Sequence, residues 1–553
     1  MTIPSFRTFS FLFTGLLCFF WSFQAMTQEY ILGNDRFQYE QVEQYLHQPG
    51  ANFHTAFRPL RLSEIRRVAD PDTIAGIRDP KWKLAKSWAG KRVFSEHFLS
   101  LDSGSFQLYA DPLFSFSGGK DFLTNTKTYE NSRGLQLFGN IGKKVSFYTC
   151  FWENQSRFVN YVDSFVTRQN VVPGQGRVKP FGTGGFDYAW AAGYISYSPS
   201  PYFNFQAGND KQFVGDGYRS LLLSDNAFNY PYLKISTSVW KLRYTNLFTA
   251  FQNVGSAANS QLGGYQKKYA SFHHLSLNLG KRINLGLFEA VVWQSVDTSG
   301  QRRNFDVNYL NPVIFYRPLE YSLGSPDNVL MGFNLKWIFM KHNILYGQLM
   351  LDEFSLREIK ARSGWWGNKY GFQLGIKVFN VFYQPTLSVQ SELNVVRPYT
   401  YGHSAATQSY THFAQALAHP LGANFIESVN FLRYAKRRFA LVAKLQFIRY
   451  GADSLKSDGS WSNVGQNIFR ATSEAYNQAT SVPSIYGNKI TQGQLNTVVF
   501  TDLTLSWIVN RKTNMRLELC FSRRMQTNEY IRKNTNWLFL GIKTNLPNRY
   551  YDF

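Results

Sequence analysis

Near the C-terminal end of the chain, residues 502–522 read DLTLSWIVNRKTNMRLELCFS. Two runs of alternating residues flank the turn Asn510-Arg511-Lys512-Thr513, which predicts an antiparallel hairpin. One face of the hairpin is apolar and carries Leu503, Leu505, Trp507, Val509, Met515, Leu517, Leu519 and Phe521. Such a face points to the core in a soluble sandwich and to lipid in a membrane barrel. One hairpin does not separate these two interpretations.

The spacing of the neighbouring strands does separate them. We predict strands at 329–339, 344–352, 369–378, 384–397, 424–434, 439–450, 495–509, 514–524 and 535–546. The links between them are alternately short and long, and the last long link is 525–534. Alternation of short turns and long loops is typical of outer-membrane barrels, with the turns in the periplasm. The pattern therefore predicts an all-β fold, a transmembrane antiparallel β-barrel.

The length of the chain sets the number of strands. Residues 106–328 form a stretch about as long as the one that holds these nine strands, so they have room for about nine more. We predict about 18 strands, with about 16 as the alternative, because such barrels have even strand numbers. The barrel is expected to span residues 106–553.

The composition agrees with a membrane barrel. Charged residues make up 17% of the chain and aromatic residues another 17%, and the formal net charge is +23. Mean hydropathy is −0.29. After the N-terminus, we find no apolar run as long as the roughly 18 residues of a spanning helix. The aromatic content excludes a disordered chain, and three cysteines exclude a disulfide scaffold.

The N-terminal residues predict an export signal and a separate small region. Residues 1–27 contain Arg7, an apolar run and then small residues, as in a secretory signal peptide. Cleavage is expected after Thr27, with Ala25 as the alternative. Residues 28–105 form an N-terminal region that we place in the periplasm. One or two short amphipathic helices are predicted between Asp79 and Leu99.

The chain lacks the common catalytic motifs. It has no Gly-x-Ser-x-Gly elbow, His-Glu-x-x-His pair or Walker loop. His403, His412 and His419 share one long link, where solvated histidines are expected more often than metal ligands. We therefore predict no catalytic residue, metal or cofactor, and a protein that is not an enzyme. Cys150 and Cys520 are expected to be buried free thiols.

The excess of basic residues predicts an anionic partner. An exported barrel meets no nucleic acid, so its anionic neighbours are outer-membrane lipids, lipopolysaccharide phosphates and acidic surface sugars. Around the last long link we predict an anionic-glycan site, because Arg binds carboxylates and phosphates bidentately and Tyr offers a flat face to a sugar. The site residues are Arg523, Arg524, Tyr530, Arg532 and Lys533. Contact with lipopolysaccharide is the alternative role for this cluster.

Seven motifs occur in order along the barrel. They are Asn131–Gly134 (NSRG), Glu153–Gln155 (ENQ), Gly208–Leu223 (GNDKQFVGDGYRSLLL), Asn311–Pro318 (NPVIFYRP), Gly364–Gly375 (GWWGNKYGFQLG), Arg397–Tyr401 (RPYTY) and His419–Asn424 (HPLGAN). These motifs resemble the Wzi-like capsule-assembly outer-membrane family, and most closely its gliding-motility, RemB-like branch. The resemblance implies an 18-stranded barrel with a small helical periplasmic part.

The same resemblance implies a function without catalysis. The protein is expected to assemble or anchor surface (capsular) polysaccharide in the outer membrane of a Gram-negative bacterium, with a possible link to gliding motility. Export or motility proteins of the envelope are then expected as further partners. The alternative is a porin or a specific solute channel, and an outer-membrane enzyme is a third and weaker hypothesis.

Overall fold

The computed structural model describes residues 35–71, 80–254, 265–296, 300–314, 327–341, 343–455, 457, 459–472 and 485–553. The signal peptide that the sequence predicts, residues 1–27, lies outside the described residues.

Eighteen long antiparallel strands in the described residues close into a barrel. They are β1 (Phe106–Asp121), β2 (Thr126–Ile141), β3 (Val145–Arg157), β4 (Gly185–Ser200), β5 (Phe203–Asp210), β6 (Tyr230–Val239), β7 (Leu242–Asn253), β8 (Gln266–Leu279), β9 (Ile283–Gln294), β10 (Asn328–Ile338), β11 (Asn343–Glu353), β12 (Lys369–Phe379), β13 (Leu387–Val396), β14 (Phe425–Lys436), β15 (Phe439–Ala452), β16 (Gln494–Asn510), β17 (Met515–Thr527) and β18 (Arg532–Lys543). The predicted fold class and strand number are confirmed, and the nine strands predicted toward the C-terminus correspond to β10–β18.

The barrel closes between its first and last long strands. Lys543 of β18 lies opposite Ser115 of β1, and Trp537 lies opposite Asp121. The short strand Leu99–Asp102 also pairs with β1, at residues 107–110, which precede the part of β1 that pairs with β18. The range 28–105, expected to precede the barrel, therefore contributes a short strand to the edge of the sheet. The division into domains otherwise stays a prediction.

The two ends of the barrel differ in their connections. We call the end with the connections 142–144, 280–282 and 511–514 the short-turn end, and the opposite end the long-loop end. The last connection at the long-loop end is 528–531, shorter than the predicted 525–534. It is shorter because pairing of the last hairpin continues outward until Thr527 lies opposite Arg532.

The facing of the quoted hairpin agrees with a barrel in lipid. Leu503, Leu505, Leu517 and Leu519 are exposed on the outside of the wall, whereas Ser506 is buried on the lumen side. The exposed fractions of Leu505 and Ser506 are 44% and 3%, although the two residues are neighbours. The alternation of the strand therefore sorts them to opposite faces.

This sorting predicts unequal effects of one substitution. Leu505→Lys is expected to lower the free energy of unfolding by about 2–4 kcal/mol near the bilayer midplane. Ser506→Lys is expected to have a much smaller effect, because position 506 faces the lumen opposite Glu518. Urea unfolding of both variants in lipid vesicles measures the difference. Equal losses would show that the facing is wrong.

Six short helices accompany the strands in the described residues. They are α1 (Arg36–Leu46), α2 (Leu62–Arg66), α3 (Lys83–Lys86), α4 (Trp88–Phe94), α5 (Asn160–Gln169) and α6 (Leu356–Lys360). The Asp35 carboxylate caps α1 by accepting the Phe37 N–H at 2.9 Å. No described helix is both long enough and apolar enough to span a bilayer.

Candidate functional site

The lumen is occupied by segments of the chain itself. Residues 35–71, the N-terminal segment, fill the mouth at the short-turn end, and residues 544–553, the C-terminal segment, run along the inside of the wall. The loops 211–229 and 397–424 fold inward from the long-loop end. Their apolar side chains form the main core, in which Leu222 and Leu417 are fully buried.

Ion pairs join the N-terminal segment to strands around the barrel. They link Asp35 to Arg516 at 3.0 Å, Glu40 to Arg433 at 2.9 Å, Glu43 to Lys377, and Glu64 to Arg243. Burial raises the pKa of the Glu64 carboxyl, but Arg243 and Arg61 outweigh burial and lower the pKa to about 2. The Glu64 carboxylate is therefore ionised at neutral pH. The four ion pairs together hold the segment in the mouth.

Polar contacts also hold the C-terminal segment. The Asp552 carboxylate lies 3.2 Å from Arg219 and 3.0 Å from Lys444, and it accepts the Tyr218 hydroxyl at 2.6 Å. Burial alone would raise the pKa of Asp552, but the two cations hold it below its ordinary value. The segment ends beside α5, where the rings of Phe553 and Phe165 are 5.2 Å apart.

The two segments contact each other inside the lumen. The backbone N–H of Arg36 donates to the Asn548 side chain at 2.8 Å, and the Arg36 guanidinium donates to the Tyr550 hydroxyl at 3.3 Å. A cavity of about 350 Å³ remains between the C-terminal segment and the wall. The N-terminal and C-terminal segments thus both occupy the lumen and are joined there.

Two motifs singled out in the sequence meet at a buried charge network. Arg219, from Gly208–Leu223, donates to Glu427 at 3.2 Å, and His419, from His419–Asn424, lies 2.7 Å from the same carboxylate. Gln446 donates to Glu427 at 2.6 Å. Sequence reasoning missed Glu427, because nothing in its strand pattern marks it as an inward charge. Arg219 and His419 are buried and help to hold the two loops in the barrel.

The long-loop end presents an aromatic and basic surface. Backbone hydrogen bonds tie the loop 354–368 to residues 485–488: the Trp366 N–H donates to Ile485 at 3.0 Å, and the Asn488 N–H donates to Gly364 at 2.9 Å. This pairing brings exposed Tyr486 beside the partly exposed Trp365–Trp366 pair, whose rings are 5.9 Å apart.

Exposed cations lie on the same two paired segments as these aromatic rings. Arg357, Lys360 and Arg362 lie on or just after α6, and Lys489 follows the paired residues 485–488. Glu358 is engaged by Arg357 at 2.9 Å and by Ser363 at 2.9 Å. We call Tyr486, the Trp365–Trp366 pair, Lys360, Arg362 and Lys489 the loop surface. It combines flat rings with free positive charge, as recognition of an acidic sugar requires.

The structure separates the five site residues predicted from the sequence. Arg523 and Arg532 follow the outward face, whereas Arg524 and Lys533 follow the lumen face. Arg524 is buried, donates to the Phe553 carbonyl at 3.0 Å and lies 4.6 Å over the Tyr161 ring. Tyr530 is exposed in the connection 528–531. The five do not form one cluster, and their binding of a glycan stays a prediction.

The titratable residues considered for chemistry are engaged in structural contacts. His412 accepts the Gln252 N–H at 3.1 Å, and the His403 ring accepts the Ala405 N–H at 3.3 Å. Within the part of the chain that the structure describes, no three His, Cys, Asp or Glu side chains are grouped to hold a metal ion. Cys150 and Cys520 are buried free thiols, as predicted.

The fold defines a class of protein: an 18-stranded antiparallel barrel of the outer-membrane type, with its own chain in the lumen. The chain matches no model of a known protein family and no curated protein. Among solved structures it is similar to Wzi of Escherichia coli, an outer-membrane protein involved in group 1 capsule assembly and a carbohydrate-binding β-barrel. The TM-score is 0.54 at 13% identity, and the match covers 94% of this chain and 100% of Wzi.

Two further barrels are similar to a lesser degree. OccAB2 of Acinetobacter baumannii has a TM-score of 0.43 at 10% identity, covering 80% of this chain and 99% of OccAB2. OprD of Pseudomonas aeruginosa has a TM-score of 0.40 at 10% identity, covering 85% of this chain and 99% of OprD. At these identities the likeness to Wzi shows a shared fold.

Proposed function

We propose that this protein is a non-enzymatic outer-membrane barrel that anchors or assembles an acidic surface polysaccharide. The observation that carries the proposal is the loop surface, which gathers exposed rings and cations above an occupied lumen. A barrel filled by its own segments is poorly suited to solute passage and offers its binding surface at the rim. The carbohydrate binding of Wzi, a barrel of the same fold, supports this function.

The proposal includes an orientation in the membrane. The long-loop end faces outward and the short-turn end faces the periplasm, as in outer-membrane barrels generally. The N-terminal region is then periplasmic, and the outward cations also contact lipopolysaccharide phosphates. Envelope export proteins are proposed as partners, because a polysaccharide must reach the surface before a barrel can hold it.

The residue types of the loop surface define the ligand class. Arg362, Lys360 and Lys489 favour carboxylate or phosphate groups along the polymer. The Tyr486 ring, with the Trp365–Trp366 pair beside it, offers flat apolar faces on which sugar rings can pack. An acidic polysaccharide carries both anionic groups and sugar rings in each repeat, whereas a neutral polysaccharide carries only the sugar rings.

Purified protein should therefore bind the cell's own surface polysaccharide and, as a defined probe, polygalacturonate. Combining Tyr486→Ala with Lys360→Gln and Arg362→Gln should weaken binding about tenfold or more, a loss of roughly 1.4 kcal/mol. Surface plasmon resonance at physiological salt measures both polymers, with dextran as the neutral polymer.

A matched control removes one ring and two cations elsewhere at the long-loop end. Phe122→Ala with Lys127→Gln and Lys179→Gln changes exposed residues by the same chemistry and should leave binding nearly unchanged. Equal weakening by both triple variants would exclude the loop surface as the binding site. Failure of the unaltered protein to bind the cell's polysaccharide would refute the function itself.

The finer roles are distinguished in cells. A deletion strain scored for capsule retention and for surface spreading separates capsule assembly from a gliding-motility role of the RemB-like kind.

The site predicted around the last connection is tested in the binding assay by changing Arg523, Arg524, Arg532 and Lys533 to Gln. Steady conductance of the unaltered protein in planar bilayers would instead favour the porin alternative.

A further inference from the structure

Residues 80–98 form a basic and aromatic element at the rim of the short-turn end. It contains the helices α3 and α4, joined at Ser87, whose hydroxyl accepts the Gly90 N–H at 3.0 Å. Sequence periodicity predicted an apolar face through Trp82, Ala85, Ala89 and Val93. In the structure only Ala85 of these four is buried. The larger apolar side chains of the element, Trp82, Leu84 and Trp88, are exposed.

The barrel wall fixes the position of this element. Asn510, the last residue of β16, lies opposite Met515 after a bulge and is fully buried. Its side-chain amide donates to the carbonyl groups of Arg92 at 3.1 Å and Glu96 at 2.8 Å. The helix α4 therefore lies at the rim of the short-turn end against the end of β16, a few residues from the exposed Leu503 and Leu505 of the same strand.

The exposed residues of the element have an unusual composition. Leu84 is 69% exposed and Trp88 is 74% exposed, and Trp82 is half exposed. Five cations accompany a single acid: Lys81, Lys83, Lys86, Lys91 and Arg92 against Glu96. Arg92 is paired with Glu96 at 2.9 Å, so the lysines carry the unpaired charge. Exposed Trp and Leu beside lysines are typical of helices that lie in a membrane interface.

We infer that residues 80–98 dock on the phospholipid leaflet around the short-turn end, with the lysines on anionic headgroup phosphates. Trp82, Leu84 and Trp88 then enter the boundary between headgroups and acyl chains, where Trp is favoured. Two observations select lipid as the occupant: the element is attached at Asn510 to the end of β16, a strand whose exposed leucines face lipid, and its charge is complementary to phosphates. This inference is independent of the proposed polysaccharide binding.

A nitroxide at position 84 tests the docking directly. Leu84→Cys can be labelled in the exported protein after removal of the predicted signal peptide, which contains Cys18, because Cys150 and Cys520 are buried. In bilayers of phosphatidylcholine with phosphatidylglycerol, we expect the label to meet lipid-soluble oxygen more often than a water-soluble nickel complex. The matched position is Lys143, which is exposed in the turn 142–144 at the same end of the barrel and should favour the nickel complex.

The charge requirement is tested with the label at position 84. Lys81→Gln, Lys83→Gln and Lys86→Gln together should shift the docking equilibrium toward release, with a factor of roughly five for each lysine. The triple variant should then behave in phosphatidylglycerol bilayers as the parent does in pure phosphatidylcholine. Lys143→Gln, Lys144→Gln and Lys281→Gln remove equal charge at the same end and should have no effect.

Three results would overturn the inference. A label at position 84 as open to nickel as the label at position 143 would place the element in water. A label hidden from both reagents would show a covering protein, a second copy or another partner, instead of lipid. Insertion that depends neither on phosphatidylglycerol nor on Lys81, Lys83 and Lys86 would exclude the anionic headgroups.

Discussion

Deleting residues 544–553 is expected to raise the conductance of the barrel to a steady current. The C-terminal segment runs inside the wall from β18 to α5, next to a cavity of about 350 Å³. Removing its ten residues joins this cavity to the space that they vacate, from the short-turn end toward the long-loop end. Planar-bilayer recordings of the intact and shortened proteins measure the change.

Folding of the shortened barrel is checked separately, by its migration on a gel before and after heating. Asp552→Asn serves as a milder companion variant, because it removes the charge that pairs with Arg219 and Lys444 but keeps the segment. We expect brief openings from this variant and steady current from the deletion. If the deletion protein folds but passes no current, the N-terminal segment and the inward loops are sufficient to close the lumen.

Arg219→Met is expected to destabilise the barrel by about 3–5 kcal/mol, because it removes a buried arginine shared by two carboxylates and leaves Asp552 with Lys444 as its remaining cation. Those carboxylates belong to Glu427 and Asp552, both within 3.2 Å of the Arg219 guanidinium. Methionine retains much of the side-chain volume, so the loss reports mainly on charge. Equilibrium unfolding by urea in lipid vesicles measures this change in the free energy of unfolding.

An exposed arginine provides the comparison for this variant. The Arg357 side chain is 87% exposed in its pair with Glu358, and Arg357→Met should change stability by about 0–1 kcal/mol. Similar losses at positions 219 and 357 would mean that the buried network contributes little. If Arg219→Met lowers the free energy of unfolding but does not change the resting conductance, the buried charge network contributes to stability and not to closing the lumen.

The wall of the barrel is predictable from the sequence, because apolar and polar residues alternate along each strand and so show which residues face lipid and which face the lumen. Leu505 and Ser506 were sorted correctly by period two alone, and the alternation of short and long links set the fold. The end of the last hairpin was misjudged, because polar residues such as Gln526 and Lys533 look the same in a strand near the rim as in a loop.

The filling of the lumen was not predictable in this way. The contacts of Arg36 with Asn548 and of Glu43 with Lys377 join residues far apart in the chain, and neither partner shows a local signal. The charge run around Trp82 and Trp88 did carry a signal. Its lysines could have indicated an interfacial helix, but only short amphipathic helices in the periplasm were predicted.

The N-terminal segment has one more consequence, for the assembly of the barrel. Its carboxylates meet Arg243 of β7, Lys377 of β12, Arg433 of β14 and Arg516 of β17. A slip of one residue in the pairing of any of these strands would turn its cation out of the lumen. All four ion pairs can therefore form only when these four strands are in register. Docking of the N-terminal segment is thus expected to be sensitive to errors in strand pairing around the barrel.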